Sequence, residues 1–399
     1  MARTALDVVS SSASLERAWR TLYSRSTLRS RLSSGVDEET LLDFDRHPSA
    51  VCRSLSQQLR EFGGYKFSEL RAYLIPKSAH KDRVICVPTV RDRVVQRALV
   101  EFLANGDRCG LANAVSYGFI PNRSVEKAVQ RARSLRRELP WVYKTDIASF
   151  FDAIPRAVLR DKIRRHVRDR SLRQVLIAAS ECEIKSNSAS HAKRIKQAGI
   201  HAGAGVRQGM PLSPFFANLV LKEFDKTIQA KGISMVRYAD DLISFSASKA
   251  QCEIIHATVG LALQKEGLQV PPPAPDSKTQ IYAPSEAAEF LGLQLRQQGG
   301  DYLLEIPSSQ TQKIRQRIIE FASFSSLAQA GINLSTFIRR LDGQLAGYSG
   351  AYAYANNANH FEAVLEAARR EAFERLLVSG LGIAIDNLSP EKRRFLGLE

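Results

Sequence analysis

Cysteine is scarce in this sequence and shows no pairing pattern. The five positions, Cys52, Cys86, Cys109, Cys182 and Cys252, are odd in number and scattered, and no CxxC occurs. That argues against both a cysteine zinc site and a disulfide framework, and it fits reduced thiols in a cytosolic protein. The seven histidines form no HExxH and no ligand-spaced pair, so any metal is expected on oxygen rather than on imidazole or thiolate. No apolar run is long enough to span a bilayer, and the first thirty residues mix Arg, Ser and Glu without a signal-peptide core, so a cytoplasmic protein with no membrane partner is expected. Internal repeats and low-complexity tails are missing too. Acidic residues are outnumbered, 41 against 57 basic ones, which leaves a net charge of +16 and a pI near 9.8. Such an excess suits a partner that is negative along its length, most simply nucleic acid. A soluble basic protein without that partner is the alternative that charge alone leaves open.

What is present is length and apolar content. A chain of 399 residues with 44% apolar residues suits two or three modules on a shared core. Residues 1–70 show helical periodicity in "SLERAWRTLYSRSTLRSRL" and "AVCRSLSQQLREF", with a capped helix start in "GVDEETLLDF" between them. "YLIPKSAHKDRVICVP" reads as a hairpin whose loop region carries Lys77, Lys81 and Arg83. Helical periodicity returns in "TVRDRVVQRALVEFLANG", and "SYGFIPNRSVEKAVQRARSL" is a turn-rich loop feeding a helix. "LPWVYKTDIASFFDAI" begins as an apolar strand ending near Asp146. A basic helical stretch, a Gly/Pro loop leading into a helix, and the hairpin "VRYADDLISFS" follow. "AEFLGLQLRQQGGDYLLEI" reads as one more hairpin, and from about residue 308 the pattern is helical and basic.

Three aspartates, Asp146, Asp240 and Asp241, stand at expected strand ends in this α+β core. Two of them are adjacent. At roughly 4 Å and an effective dielectric near 20, two carboxylates oppose each other by about 4 kcal/mol. Asp favours turns, so the dipeptide alone is compatible with a plain hairpin turn. Strand-like flanks, a third aspartate at another strand end and the positive charge point instead to metal-assisted phosphoryl transfer. There, two Mg²⁺ ions about 3.5–4 Å apart are bridged by carboxylates, with few protein ligands and several from substrate phosphates.

These residues resemble a known family. "RYADDLISFS" looks like the YxDD signature of reverse transcriptases, "KTDIASFFDAI" like their first palm motif, and "RQGMPLSPFFANL" like the QGxxxSP motif. "IPKSAHKDRVICVPTVRDRVVQRAL", "SYGFIPNRSVEKAV" and "GVDEETLLDF" resemble fingers motifs of the bacterial group II intron type. "SKTQIYAPSEAAEFLGLQL" resembles the lysine-containing and primer-grip motifs. The motifs run in order from about residue 35 to 300. The resemblance implies a right-hand polymerase fold: an N-terminal helical fingers extension at 1–70, fingers at 71–140, a palm at 141–300 with fingers helices inserted around 155–205, and a helical thumb and C-terminal region at 301–399.

Carried over residue by residue, the resemblance makes Asp146, Asp240 and Asp241 catalytic. Asp146, Ile147, Asp240 and Asp241 form the expected metal set for two Mg²⁺ ions, with Mn²⁺ as a substitute. The backbone from Ile147 to Phe150 would hold the triphosphate. Lys77 and Arg83 would grip it as charge-assisted donors, Gln208 would lie near the nucleotide 3′-hydroxyl, and Lys278 would protonate departing pyrophosphate. Phe151 matches the steric gate against a ribose 2′-hydroxyl. One of Phe150 and Phe151 is expected in the core, because strand neighbours point to opposite faces. Gly209, Pro211, Tyr238, Leu291 and Gly292 match primer and template contacts. Arg160 to Arg173 and Lys313 to Arg317 either track phosphates or are solvated helix faces.

The type implied is a stand-alone bacterial reverse transcriptase, group II intron-like or defence-associated. About 90 residues follow the expected palm, with no Cys/His nuclease cluster, no recognisable ribonuclease H acidic set and no retron VTG segment. The function implied is RNA-directed DNA synthesis from dNTPs onto a 3′ or protein hydroxyl, in an anti-phage system with a structured non-coding RNA. A diversity-generating or mobile-element enzyme, or a ribonucleoprotein scaffold, is the alternative. Expected partners are an RNA template or non-coding RNA, the DNA product, dNTPs, and a second copy of the chain or an accessory protein.

Overall fold

The chain is described here from a computed structural model covering residues 3–61, 64–78, 81–384 and 387–395; the side chains of 28, 29, 77, 78, 81, 394 and 395 lie outside the described part. It divides into two compact units, one of Met1–Ala128 and Tyr143–Ile281, the other of Val129–Val142 and Tyr282–Glu399.

In the first unit, β1 (Leu70–Ser78) and β2 (Lys81–Val87) form the expected antiparallel hairpin, with the short β4 (Ile184–Lys185) parallel to β1. Burial alternates along it as a pleated strand requires. Leu70, Ala72, Val84 and Cys86 enter one apolar cluster with Cys182, Ile195, Ile200 and Met210, while Tyr73 and Ile75 face outward. All five cysteines are buried and free. Burial pushes the thiols of Cys86 and Cys182 up to about 12, so they behave as small apolar groups rather than nucleophiles.

The second sheet runs in the order β5 (Ser234–Tyr238), β6 (Asp241–Ser246), β3 (Trp141–Asp146), β7 (Gln280–Tyr282). Central β6 is buried at every position after Asp241, so apolar Leu242, Ile243 and Phe245 occupy both of its faces, and the buried hydroxyls of Ser244 and Ser246 donate to the carbonyls of Ser234 and Ser248, both at 2.9 Å. The helix Lys249–Gln264 starts at Ser248, whose hydroxyl accepts from the Gln251 N–H at 3.3 Å. It buries Cys252, Ile255, Val259, Ala262 and Leu263, the stripe that a 3.6-residue period predicts.

The second unit holds a three-stranded antiparallel sheet of β8 (Ala288–Phe290), β9 (Leu293–Gln298) and β10 (Asp301–Glu305). The sequence suggested a single hairpin there. The extra strand pair arises because the two-residue turn Leu291–Gly292 splits the first apolar run. Buried Arg136 donates to the carbonyls of Leu295 and Glu286, both at 2.6 Å. Helices Ser308–Phe321, Leu334–Tyr352 and Ala358–Glu374 pack through Phe337, whose ring meets Phe321 at 5.5 Å and Phe373 at 5.6 Å.

Candidate active site

The hairpin β5–β6 pairs Tyr238 with Asp241, leaving Ala239 and Asp240 as a two-residue turn. Such turns need positive φ, and Ala239 takes φ 58°, where a side chain is disfavoured. The surroundings hold it there. Arg237, wholly buried in β5, uses all five of its N–H donors. Nε and Nη2 reach the two oxygens of Asp225 at 2.7 and 2.5 Å. Nη1 reaches Asn218 at 3.0 Å and the Ala239 carbonyl at 3.1 Å, and Nη2 also reaches Ser116 at 2.8 Å. Gly118 lies against the same turn, and a Cβ on it would stand 2.5 Å from the Ala239 nitrogen. Sequence reasoning missed Arg237, Asp225, Asn218 and Gly118 as site residues. The signal was there: an arginine inside an apolar strand must find partners for its charge.

β3 delivers Asp146 to the same place. The Ile147 N–H donates to the Asp240 carbonyl at 3.0 Å, joining the two aspartate segments through the main chain. The Ala148 N–H donates to the Gln269 carbonyl at 2.8 Å. Two amides of the stretch expected to cradle a triphosphate are therefore already engaged, which narrows that expectation to Ser149 and Phe150. Thr145 and Thr279 hydroxyls meet at 2.7 Å, so their chain neighbours Asp146 and Lys278 come together, and Lys278 Nζ pairs with the Asp146 carboxylate.

A cleft of about 230 Å³ opens here, lined by Arg83, Asp146, Phe151, Gln208, Asp240 and Lys278 among others. Ile147 and Phe150 also reach it; Asp241, Gly209, Pro211 and Tyr238 do not line it. Phe150 is 2% exposed and Phe151 half-buried. The reason differs from the one expected: both sit on a short helix, Phe150–Ala153, entered through Ser149 at φ 46°, so it is helical rotation rather than strand alternation that separates them. Gln208 is fixed by the Cys86 N–H, which donates to its carbonyl at 2.7 Å. Gly209, at φ 109°, packs so closely that a Cβ would stand 2.4 Å from the Cys86 oxygen. Pro211 is half-buried ahead of the helix Ser213–Val220, and Tyr238 is half-buried at the end of β5. Lys77 lies on β1, with its side chain outside the described residues. Leu291 and Gly292 belong to the second unit, where they form a turn with φ 52° and 81°. The Tyr352 hydroxyl, 3.0 Å from where a Gly292 Cβ would lie, backs that turn and accepts from Gln310 at 3.0 Å.

Burial, with Asp146 close by, holds the Asp240 carboxyl above the ordinary carboxylate range, against the pull of Lys278 and Arg83. Burial pushes Asp241 up to about 7, moderated by Lys144, whose Nζ stands 3.9 Å away. Asp241 Oδ1 is buried with no hydrogen-bond partner among the described residues. Burial works against the charge on Lys278, and the hydrogen bond to Asp146 more than offsets it, so its amine stays protonated above the usual lysine range. A buried carboxylate oxygen without a hydrogen bond, near two further carboxylates, has the oxygen chemistry that hard divalent cations favour. Among the described residues no group of three or more His, Cys, Asp or Glu side chains is placed to hold a metal ion by itself, so an ion here would need water and substrate for most of its shell, as Mg²⁺ commonly does.

The basic stretches are mixed in role. Lys162 is buried against Glu266 at 2.7 Å and Arg160 pairs with Glu181, while Arg164, Arg165, Arg168 and Arg170 are exposed. In the second unit Arg315 pairs with Glu371, and Lys313 and Arg317 are exposed.

The chain is 31% identical to YkfC of Escherichia coli K12 over 43% of its own length and 44% of that protein's. It is 26% identical to the group II intron-encoded protein LtrA of Lactococcus lactis, over 53% of its own length and 33% of LtrA's. With the retron Ec83 reverse transcriptase of Escherichia coli the identity is 25%, over 49% of this chain and 56% of that one. It thus spans about half or less of these relatives. Among solved structures, apo telomerase from Candida tropicalis overlays with a TM-score of 0.45 at 15% identity, covering 90% of this chain and 73% of that one. Residues 75–295, more than half of the chain, match the family Reverse transcriptase (RNA-dependent DNA polymerase), and the chain belongs to that family.

Proposed function

We propose that the chain is an RNA-directed DNA polymerase, with a palm around β3, β5 and β6, fingers before it, and a helical thumb from about residue 301. The observation that carries this reading is the convergence of Asp146, Asp240, Arg83, Gln208, Phe151 and Lys278 on one cleft. Asp146 and Asp240, with Asp241 and the Ile147 carbonyl, would hold two Mg²⁺ ions, or Mn²⁺ in their place. When bound, these supply neutralisation of phosphate charge and activation of the attacking hydroxyl.

The chain's own residues do the rest. Arg83, with Lys77, grips the triphosphate. The acceptor hydroxyl, a 3′ or a protein one, loses its proton to solvent as its oxygen bonds to the α-phosphorus, the bond from the α-phosphorus to the α–β bridging oxygen breaks, and the protonated Lys278 gives its proton to leaving pyrophosphate. Phe151 fills the space that a ribose 2′-hydroxyl would need, so deoxynucleotides are preferred. Gln208 orients the nucleotide, with Gly209, Pro211 and Tyr238 along primer and template and the Leu291–Gly292 turn as primer grip.

The setting we propose is bacterial anti-phage defence with a structured non-coding RNA, on the resemblance of the chain's motifs to those of bacterial reverse transcriptases. Similarity to LtrA favours a second setting, a group II-derived mobile or diversity-generating element. The test is to sequence the RNA that co-purifies and the products made with Mg²⁺ and four dNTPs, beside Asp240→Ala/Asp241→Ala. DNA from the wild type alone supports the reading. A defined bound RNA with no synthesis by either protein would put a ribonucleoprotein scaffold ahead of it. Phe151→Ala should relax dNTP over rNTP selectivity, and unchanged selectivity would remove the gate.

A further inference from the structure

Phe119 breaks two local rules at once. It is a large apolar side chain left 53% exposed, on a backbone at φ 60°, where bulky residues are genuine outliers. Nothing around it is loose. Gly118 before it is buried against the Ala239 nitrogen, and its carbonyl accepts from Asn218 at 2.9 Å. Ile120 after it is 6% exposed. Asn218 in turn accepts from Arg237, the residue that holds the Asp240 turn. The Phe119 ring lies 6.3 Å from that of Tyr238, tilted by 46°. A strained, rigidly held, half-exposed ring beside the reactive turn is the kind of local conflict that marks function rather than folding.

We infer that Phe119 is a stacking platform for a nucleobase of the bound primer–template, positioned by the Gly118 contact beside the catalytic turn. The inference rests on the polymerase reading for its ligand. Every base has a π-face, and an aromatic ring presented to unpaired or terminal bases binds them without regard to sequence. The base is either the primer terminus or the first unpaired template position, and both present the same chemistry.

The full-length chain tests this with a DNA primer on an RNA template, binding being read by fluorescence anisotropy and extension on the same samples. Phe119→Gly suits the positive φ better than phenylalanine does, so its melting temperature should hold or rise. Its affinity for primer–template should nonetheless fall, by about fivefold to a hundredfold for one lost stack. Phe119→Trp should restore affinity and Phe119→Leu should not. An abasic residue at the primer terminus in one arm, or at the first unpaired template position in the other, should cost wild type more than Phe119→Gly in one arm only. That non-additivity names the base. Wild-type affinity in Phe119→Gly, full rescue by leucine, or additive losses in both arms would overturn the inference. A wild type that binds primer–template but extends nothing would instead sink the polymerase reading.

Discussion

Arg237 meets Asp225 with both side chains 1% exposed, whereas Lys278 meets Asp146 with the lysine side chain 66% exposed. The two pairs serve the same pair of aspartate segments in opposite ways. The first has every guanidinium donor satisfied and reaches the Ala239 carbonyl, so it shapes the turn that carries Asp240. The second covers the Asp146 carboxylate with a cation that stays in contact with solvent. A charge wholly surrounded by fixed partners is architecture, and a charge left in solvent is free to take part in chemistry.

Breaking the first pair should have the largest effect. Arg237→Met leaves Asp225 buried and uncompensated, at a cost of about 3–5 kcal/mol. Urea unfolding should show that loss together with loss of primer extension, because fold and turn fail as one. A variant of wild-type stability would mean that the network does not hold the turn.

A pH series sharpens the contrast between burial and exposure. Asp241 stands near 7 when folded against about 4 for a free carboxylate. The folded chain therefore keeps a proton that the unfolded chain has released. Stability from this group is full below pH 4 and is lost as pH rises through 7. Without added divalent cation, the melting temperature of Asp241→Asn relative to wild type should climb between pH 4 and 7.5. A difference that does not change with pH would contradict the burial of that carboxylate.

The smallest effect is expected at the other strained turn. Leu291 holds φ 52° at a half-buried position. Leu291→Gly should raise stability by about 0.5–1 kcal/mol while weakening extension from a primer, measured as a higher primer KM. Loss of stability would show that the leucine side chain matters more than its backbone.

Much of this was legible in advance because it is local. Strand ends at Asp146 and at the aspartate hairpin follow from apolar runs, and the β1–β2 hairpin from two runs around a charged loop. The supporting shell was not legible, since Arg237 is separated by 121 positions from Ser116 and by 12 from Asp225, and no periodicity encodes such partners. The same holds for Thr145 and Thr279, 134 positions apart, which bring Lys278 to Asp146. Phe150–Ala153 read as strand because four residues are too few to show a helical period.

The most direct test of the contrast is Lys278→Ala, with melting temperature and single-turnover dNTP incorporation taken on the same sample. An exposed pair contributes at most about 1 kcal/mol, and a lost proton donor slows chemistry by about a hundredfold or more. The account predicts an almost unchanged melting temperature with a rate lowered to that degree. A lowered melting temperature with an unchanged rate would contradict it.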